Sequence, residues 1–231
     1  MMADDLLVER RAVEAGGETM IITLNRPERV NALTERMLQG IHAALDEAEH
    51  DDAVRVVVLR GAGPKGFCSG LDRAELARLA EAGRRMDLFV GPAGIYPTAK
   101  RVDAFPKPVL SLIHGHCIAA GVQLATAADL IIAAEGAKLV EPEMRMTGFN
   151  DDSWAMRLGR VLGPVRAKRY VLLAEPISGR EAYELGLVSL VVPDEELAAT
   201  GDRLAAQIAS YLPHVVSKTL ALIDRGAGRV E

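Results

Sequence analysis

Residues 54–59, 109–113 and 130–134 form nearly unbroken apolar runs: Val-Arg-Val-Val-Val-Leu, Val-Leu-Ser-Leu-Ile and Leu-Ile-Ile-Ala-Ala. Runs this short, bounded by loop residues and lacking polar alternation, read as strands buried on both faces. A further β-rich stretch, 19–24, ends at Asn25-Arg26-Pro27, where proline removes a ladder donor. Between these runs the apolar spacing becomes helical. Thr34 is placed to cap a helix carrying Met37, Leu38, Ile41, Leu45 and Ala48 on one face. Helices are predicted over 72–82, 86–104 and, in small residues, 119–127. Beyond them come helices over 153–162 and 165–173, separated by Gly163-Pro164. Ser178 caps a short helix to residue 185, 187–192 is strand-like, and 194–209 and 215–225 are helical. Buried strands alternating with helices require a sheet covered on both faces, an α/β fold. The pattern divides into a core, residues 1–163, and a helical C-terminal region, residues 164–231.

Composition narrows the function classes. The 231 residues can bury a sizeable core, and 49% hydrophobic with 26% charged residues is an ordinary globular balance. A net charge of -5 gives no electrostatic reason to expect nucleic acid or an anionic membrane as partner. Cys68 and Cys117 are too few for a disulfide framework or a Cys-rich zinc site. The first eleven residues hold no apolar signal-peptide core, and no apolar run reaches membrane-spanning length. A cytoplasmic location is the expectation.

Residues 142–152 gather three carboxylates, Glu143, Asp151 and Asp152, beside Met144, Met146 and Phe149, with Trp154 just after. Carboxylates among apolar side chains have raised pKa values and can move protons near neutral pH, whereas in a solvated loop they would only cap helices. Gly61-Ala62-Gly63-Pro64-Lys65-Gly66 satisfies G-x-G-x-x-G, with Glu81 at the distance of a ribose-binding acid. Pro64 and the delay before the next helix argue against a dinucleotide site. Phe67 excludes a P-loop, and Cys68 takes the place of the serine in a nucleophile elbow. A Cys68 nucleophile with His114 or His116 as base matches no local signature, so a buried structural cysteine is the better reading. The five histidines show no metal-ligand spacing beyond the pair His114 and His116, so no metal is expected. Two small-residue turns remain, 68–72 and 115–121, each following a buried strand and entering a helix. If they converged, their unpaired N–H groups would make an oxyanion hole; alone, each glycine serves only close packing.

Taken together, these segments resemble the crotonase superfamily, the enoyl-CoA hydratase/isomerase family. Asn25-Arg26-Pro27 with Val30-Asn31-Ala32-Leu33 is similar to its first signature, and residues 66–72 to its first oxyanion loop. Residues 114–129 resemble the second hole element with its helix, and Pro142-Glu143 the catalytic-glutamate position. In the tail, Ile177-Ser178-Gly179-Arg180-Glu181-Ala182, Gly186-Leu187-Val188-Ser189 and Val191-Val192-Pro193 match in the same order. The resemblance implies a spiral of ββα units with a helical C-terminal region, assembled as a homo-trimer or hexamer. It implies an acyl-CoA thioester substrate, with coenzyme A entering only as part of that substrate and no other cofactor.

By position, the N–H groups of Leu71 and Ala120 would hold the thioester oxygen. Alanine replaces a glycine at 120, which is harmless if that backbone needs no positive φ. The resemblance places Asn31, Ala32, Leu33, Ser69, Gly70, Asp72, Arg73, Ala74, Gly121 and Gln123 around the substrate. Lys65, Arg26, Arg29 and Arg73 are phosphate partners among which the sequence does not choose. Gln123 stands where the hydratases carry a second glutamate, and an amide is no general base. Asp151 stands where they carry glycine, and Glu143 with Asp151 resembles the acid–base pair of the dienoyl-CoA isomerases. Double-bond isomerisation is therefore expected. Hydration or thioester hydrolysis through a water held by Asp151 is the alternative, and a non-catalytic CoA-binding scaffold a further one. Asn150-Asp151 also resembles the nucleophile region of chlorobenzoyl-CoA dehalogenase, which has tryptophan where this chain has Glu143. Asp152 is read as a helix cap. The chain ends sooner than most of these relatives, so part of the region lining the acyl pocket or the trimer contact is expected to be missing.

Overall fold

The predicted apolar runs become the centre of a six-stranded sheet. The computed structural model describes residues 4–14, 16–145 and 152–227, the side chains of Asp152 and Ser153 excepted. The chain begins with strands β1 (Leu6–Ala12) and β2 (Glu18–Leu24), helix α1 (Glu35–His50) and strand β3 (Val54–Gly61). Helices α2 (Arg73–Glu81), α3 (Asp87–Val90) and α4 (Ile95–Asp103) precede β4 (Val109–Ile113), β5 (His116–Ile118) and α5 (Ala120–Thr126). Then come β6 (Leu130–Ala134), β7 (Lys138–Val140), α6 (Asp152–Leu162), α7 (Pro164–Leu173), β8 (Ile177–Ser178) and α8 (Gly179–Leu185). Strand β9 (Leu190–Val192) and helices α9 (Leu197–Ala209) and α10 (Pro213–Gly226) complete the described chain.

The large sheet runs β1-β2-β3-β4-β6-β9 and is parallel except for the β1–β2 pair. A second sheet, β5-β7-β8, stands beside it. Successive units place one strand in the large sheet and the next in the small one, then add a helix: β4-β5-α5 and β6-β7-α6. Both faces of the large sheet are covered. Met20, Ile22, Val57, Leu59 and Ile113 pack with Leu38 and Ile41 of α1 on one side. On the other, Ile21, Val56, Val58, Leu110 and Leu112 pack with Leu197, Ala205 and Ala209 of α9. Burial on both faces explains why the strands do not alternate.

The expected caps are present: the Thr34 hydroxyl accepts from Met37 N–H at 3.2 Å, and Ser178 forms a capping box with Glu181. Three features escaped the hydrophobic pattern. Strand β1, Leu-Leu-Val-Glu-Arg-Arg-Ala, is an exposed edge whose charged side chains hide its pairing with β2. The single helix expected over 86–104 divides at Gly91-Pro92-Ala93-Gly94 into α3 and α4. Strands β5 and β7 span three residues each, too few for a period to register. Residues past 164 are not set apart from the core, because β9 joins the large sheet and α9 covers one of its faces. Helix α10 buries no residue. Among the described residues, no helix is long and apolar enough to cross a membrane.

Candidate active site

The small sheet brings three distant segments to one place. Cys68 bridges Cys117 of β5 in parallel, with Cys68 N–H donating to His116 O at 3.1 Å and Ile118 N–H to Cys68 O at 2.9 Å. On its other side β5 pairs in parallel with β7, and Ala119 N–H donates to Val140 O at 2.9 Å. Parallel neighbours leave a sheet at the same end. The turns at Gly70, at Ala119 and at Glu141 therefore open side by side, as happens at the strand ends of other parallel sheets.

The turns at Gly70 and Ala119 each have a local cause. Gly70 has φ +98°, a conformation that side chains rarely adopt. Leu33 N–H donates to its carbonyl at 2.8 Å, and Asp72 N–H returns to Leu33 O at 2.8 Å. A Cβ placed on Gly70 would lie 3.3 Å from Ala119 Cβ and 3.8 Å from Ala120 N, so the two turns touch. The positive φ of the second turn, +51°, falls on Ala119 and not on Ala120. Alanine there is strained, as happens at functional sites. Ala120 begins α5, and among the described residues neither its N–H nor that of Leu71 meets an acceptor. Gly121 permits the approach of α5: a Cβ there would sit 2.7 Å from Cys68 O.

The third turn carries the carboxyl groups. Glu143 lines the cleft together with Gln123, Ala120 and Leu71. Burial raises its pKa, an effect partly countered by the neighbouring Glu141 carboxyl. Glu141, two residues earlier, has no exposed surface. Desolvation and the adjacent Glu143 push its pKa up. Among the described residues, no hydrogen bond of good geometry reaches either Glu141 oxygen or Gln123 Oε1, although Gln123 and Glu143 are polar neighbours of Glu141. Sequence reading missed Glu141. Its signal is an acid closing the apolar stretch Leu139-Val140, at i−2 from Glu143, where an extended chain presents both residues on one side. Asp151 lies outside the described residues, as does any capping contact of the Asp152 side chain.

The cleft measures about 810 Å³ and is walled by α2, by Phe89, Ile95 and Tyr96, and by the two turns. Ser69, Gly70 and Arg73 line it as expected, and so do Arg85 and Arg145, which the sequence reading missed because they lie on separate segments. Of the other expected contacts, Gln123 lines the cleft, Ala74 is exposed outside its lining, and Asn31, Ala32, Leu33, Asp72 and Gly121 are buried. Asn31 is fully buried, its amide donating to Ala62 O and Gly66 O at 2.9 Å while its Oδ1 accepts from Arg26 N–H. Ala32 and Leu33 are buried as well. Asp72 caps α2 through Ala74 and Glu75 N–H and pairs with Arg26 at 2.8 Å. Burial alone would raise its pKa, but those hydrogen bonds and the Arg26 charge hold it below the usual carboxylate range. Asn31, Asp72 and Arg26 thus shape the loops, and Ala74 supports the cap. Lys65 and Arg29 are exposed and do not line the cleft.

The remaining motifs are structural. Gly61 to Gly66 forms a loop with no helix before Arg73, so no helix N-terminus faces it. Cys68 and Cys117 are buried free thiols; burial pushes Cys68 up to about 12 and Cys117 well above its ordinary value. Neither is a thiolate nucleophile at neutral pH. His114 Nε2–H donates to Gly63 O at 2.7 Å, tying the ring to the loop. Among the described residues, no group of three His, Cys, Asp or Glu side chains could hold a metal ion.

Comparison with known proteins matches this architecture throughout. The profile of the enoyl-CoA hydratase/isomerase family matches residues 14–228. The 1,2-epoxyphenylacetyl-CoA isomerase of Escherichia coli is 36% identical over 199 residues, 86% of this chain and 74% of that one. The short-chain-enoyl-CoA hydratase of Clostridium acetobutylicum is 30% identical over 215 residues, 93% and 80% of the two chains. The crystal structure of an enoyl-CoA hydratase from Bacillus anthracis superposes with a TM-score of 0.89 at 32% identity, covering 99% of this chain and 85% of its own. With the paired strands, converging turns and cleft glutamate in place, this chain belongs to the enoyl-CoA hydratase/isomerase family of the crotonase superfamily.

Proposed function

We propose that this enzyme moves a double bond along the acyl chain of a CoA thioester through an enolate intermediate. The thioester oxygen accepts hydrogen bonds from Leu71 and Ala120 N–H, which stabilise the charge that develops on it. Glu143 removes a proton from carbon, and Asp151 returns one further along the chain. Arg73, Arg85 and Arg145 supply positive potential at the cleft for the phosphates of coenzyme A, against a net charge of -5 for the whole chain. The observation that carries this reading is the chemistry of the cleft wall. Glu143 lines the same cleft as Leu71 and Ala120, whose N–H groups meet no acceptor among the described residues, and the residue facing the cleft at 123 is an amide that cannot take a proton.

The test is a panel of 2-enoyl-, 3-enoyl- and 3,5-dienoyl-CoA thioesters, followed by absorbance and product mass. Isomerisation leaves mass unchanged, hydration adds one water, and hydrolysis releases a free acid. Glu143→Gln and Asp151→Asn should each lower turnover by about 10²–10⁴-fold. Full isomerase activity in both variants would sink the assignment. Hydration is the second reading, favoured by similarity to a relative described as a short-chain-enoyl-CoA hydratase. Assembly as a homo-trimer or hexamer belongs to the same proposal, supported by α10, which leaves Val215, Leu222 and Ile223 exposed.

A further inference from the structure

Glu141 is a carboxyl group that the proposed chemistry does not use. It closes β7, has no exposed surface, and does not line the cleft. Among the described residues, the groups that act on it are Glu143 from its own turn, Gln123 from α5, Cys117 from β5 and Tyr170 from α7, with no cation among them. Among the described residues, neither Glu141 oxygen has a hydrogen bond of good geometry, nor do Gln123 Oε1 and the Tyr170 hydroxyl. An ionised carboxylate buried in this way, without a cation or donors, is the costliest state a side chain can take, and such a group neutralises instead. Two adjacent carboxyl groups likewise do not both ionise when they can share one proton.

We propose that Glu141 is a positioning residue that keeps its proton at neutral pH and offers its O–H as a hydrogen bond to Glu143, so the pair carries one negative charge. The inference rests on the reading of Glu143 as the proton-transfer group and adds what tunes it. A donor on the Glu143 carboxylate favours its charged form and lowers its pKa. Glu143 is then kept ionised and ready to accept a proton from substrate, despite its burial. The two groups titrate as a pair and not as independent sites.

The test begins with protonation, which needs no turnover. Carbon-13 NMR of protein labelled at the glutamate δ-carbon should show one carboxyl still protonated at pH 7. That signal should persist in Glu143→Gln and vanish in Glu141→Gln. All glutamates ionised at pH 7, or loss of the neutral signal in Glu143→Gln, would overturn the proposal, whether or not any thioester turns over. Should Glu141→Gln fail to fold, wild type and Glu143→Gln still decide. The second measurement is the pH profile of kcat/KM on whichever thioester the panel identifies. Glu141→Leu, which removes the donor, should move the acid limb to higher pH by about 1 pH unit. Glu141→Gln, whose amide still donates, should leave the acid limb in place. An acid limb that does not move in Glu141→Leu contradicts the donor role, and inactivity towards every thioester contradicts the isomerase reading alone.

Discussion

Asp72 and Glu141 are the two buried carboxylates among the described residues, and their surroundings are opposite. Asp72 sits under the turn that carries Gly70 and Leu71 with every interaction in place: two helix N–H groups, the Arg26 guanidinium and a pKa held low. Glu141 lies behind the turn that carries Glu143, with no cation and no well-formed hydrogen bond among the described residues and a pKa pushed up. The first turn, proposed to bind charge, is backbone fixed by complete hydrogen bonding. The second, proposed to move protons, holds polar atoms whose partners among the described residues are incomplete. Preorganised donors need no reorganisation as charge develops, whereas a proton-transfer group must change its own charge during the reaction.

The contrast is broken most severely at Glu143. Glu143→Gln keeps the shape of the cleft and both N–H donors, so a non-reactive thioester analogue should bind with nearly unchanged affinity by calorimetry while turnover falls by about 10²–10⁴-fold. The converse change is Gly121→Val. Its side chain would drive into Cys68 O, only 2.7 Å from a Cβ, and separate the two turns. A loss of about 1–3 kcal/mol in denaturant unfolding is expected, together with weakened analogue binding.

The two buried acids should also give opposite pH slopes in thermal unfolding. Asp72 is depressed when folded, so its stabilisation is present above the ordinary value of 3.8 and is lost as pH falls through the folded pKa. The advantage of wild type over Asp72→Asn should therefore shrink below about pH 4. Glu141 is raised when folded, so its contribution is complete below the ordinary 4.5 and is lost as pH rises towards the folded pKa. Glu141→Gln should gain on wild type as pH rises from about 5 upward. Parallel slopes for the two variants would mean that these environments do not differ as described. The smallest effect is expected at Ala119. Ala119→Gly relieves the φ of +51° and should stabilise the protein by about 1 kcal/mol, or about 2–4 °C in Tm, with turnover intact.

What the sequence revealed follows the same division. The strands at 54–59, 109–113 and 130–134 were legible because burial on both faces imposes continuous apolar runs, and Thr34 and Ser178 because capping has a local chemistry. The two converging turns at Leu71 and Ala120 were readable as small-residue turns with helices behind them. What was not readable depends on three-dimensional neighbours. Asn31, Ala32, Leu33 and Asp72 lie in a motif that reads as substrate contact, yet they sit behind the cleft wall because their polar groups are engaged by loops far off in sequence. Arg85 and Arg145 reach the cleft from segments with no pattern of their own. Glu141 drew no reading from the sequence, because its burial depends on the pairing of β5 with β7. The condition set for Ala120, a backbone without positive φ, is met: α5 starts at Ala120 itself and the positive φ lies one residue earlier.

The central claim is that the cleft guides a proton and not a water. The most direct measurement is the mass of the product formed from a 3-enoyl-CoA and a 2-enoyl-CoA by the wild-type protein, with Glu143→Gln in parallel. The account predicts a product of unchanged mass with the double bond moved, and loss of that product in Glu143→Gln. A product heavier by one water, or a moved double bond that survives in Glu143→Gln, would contradict it.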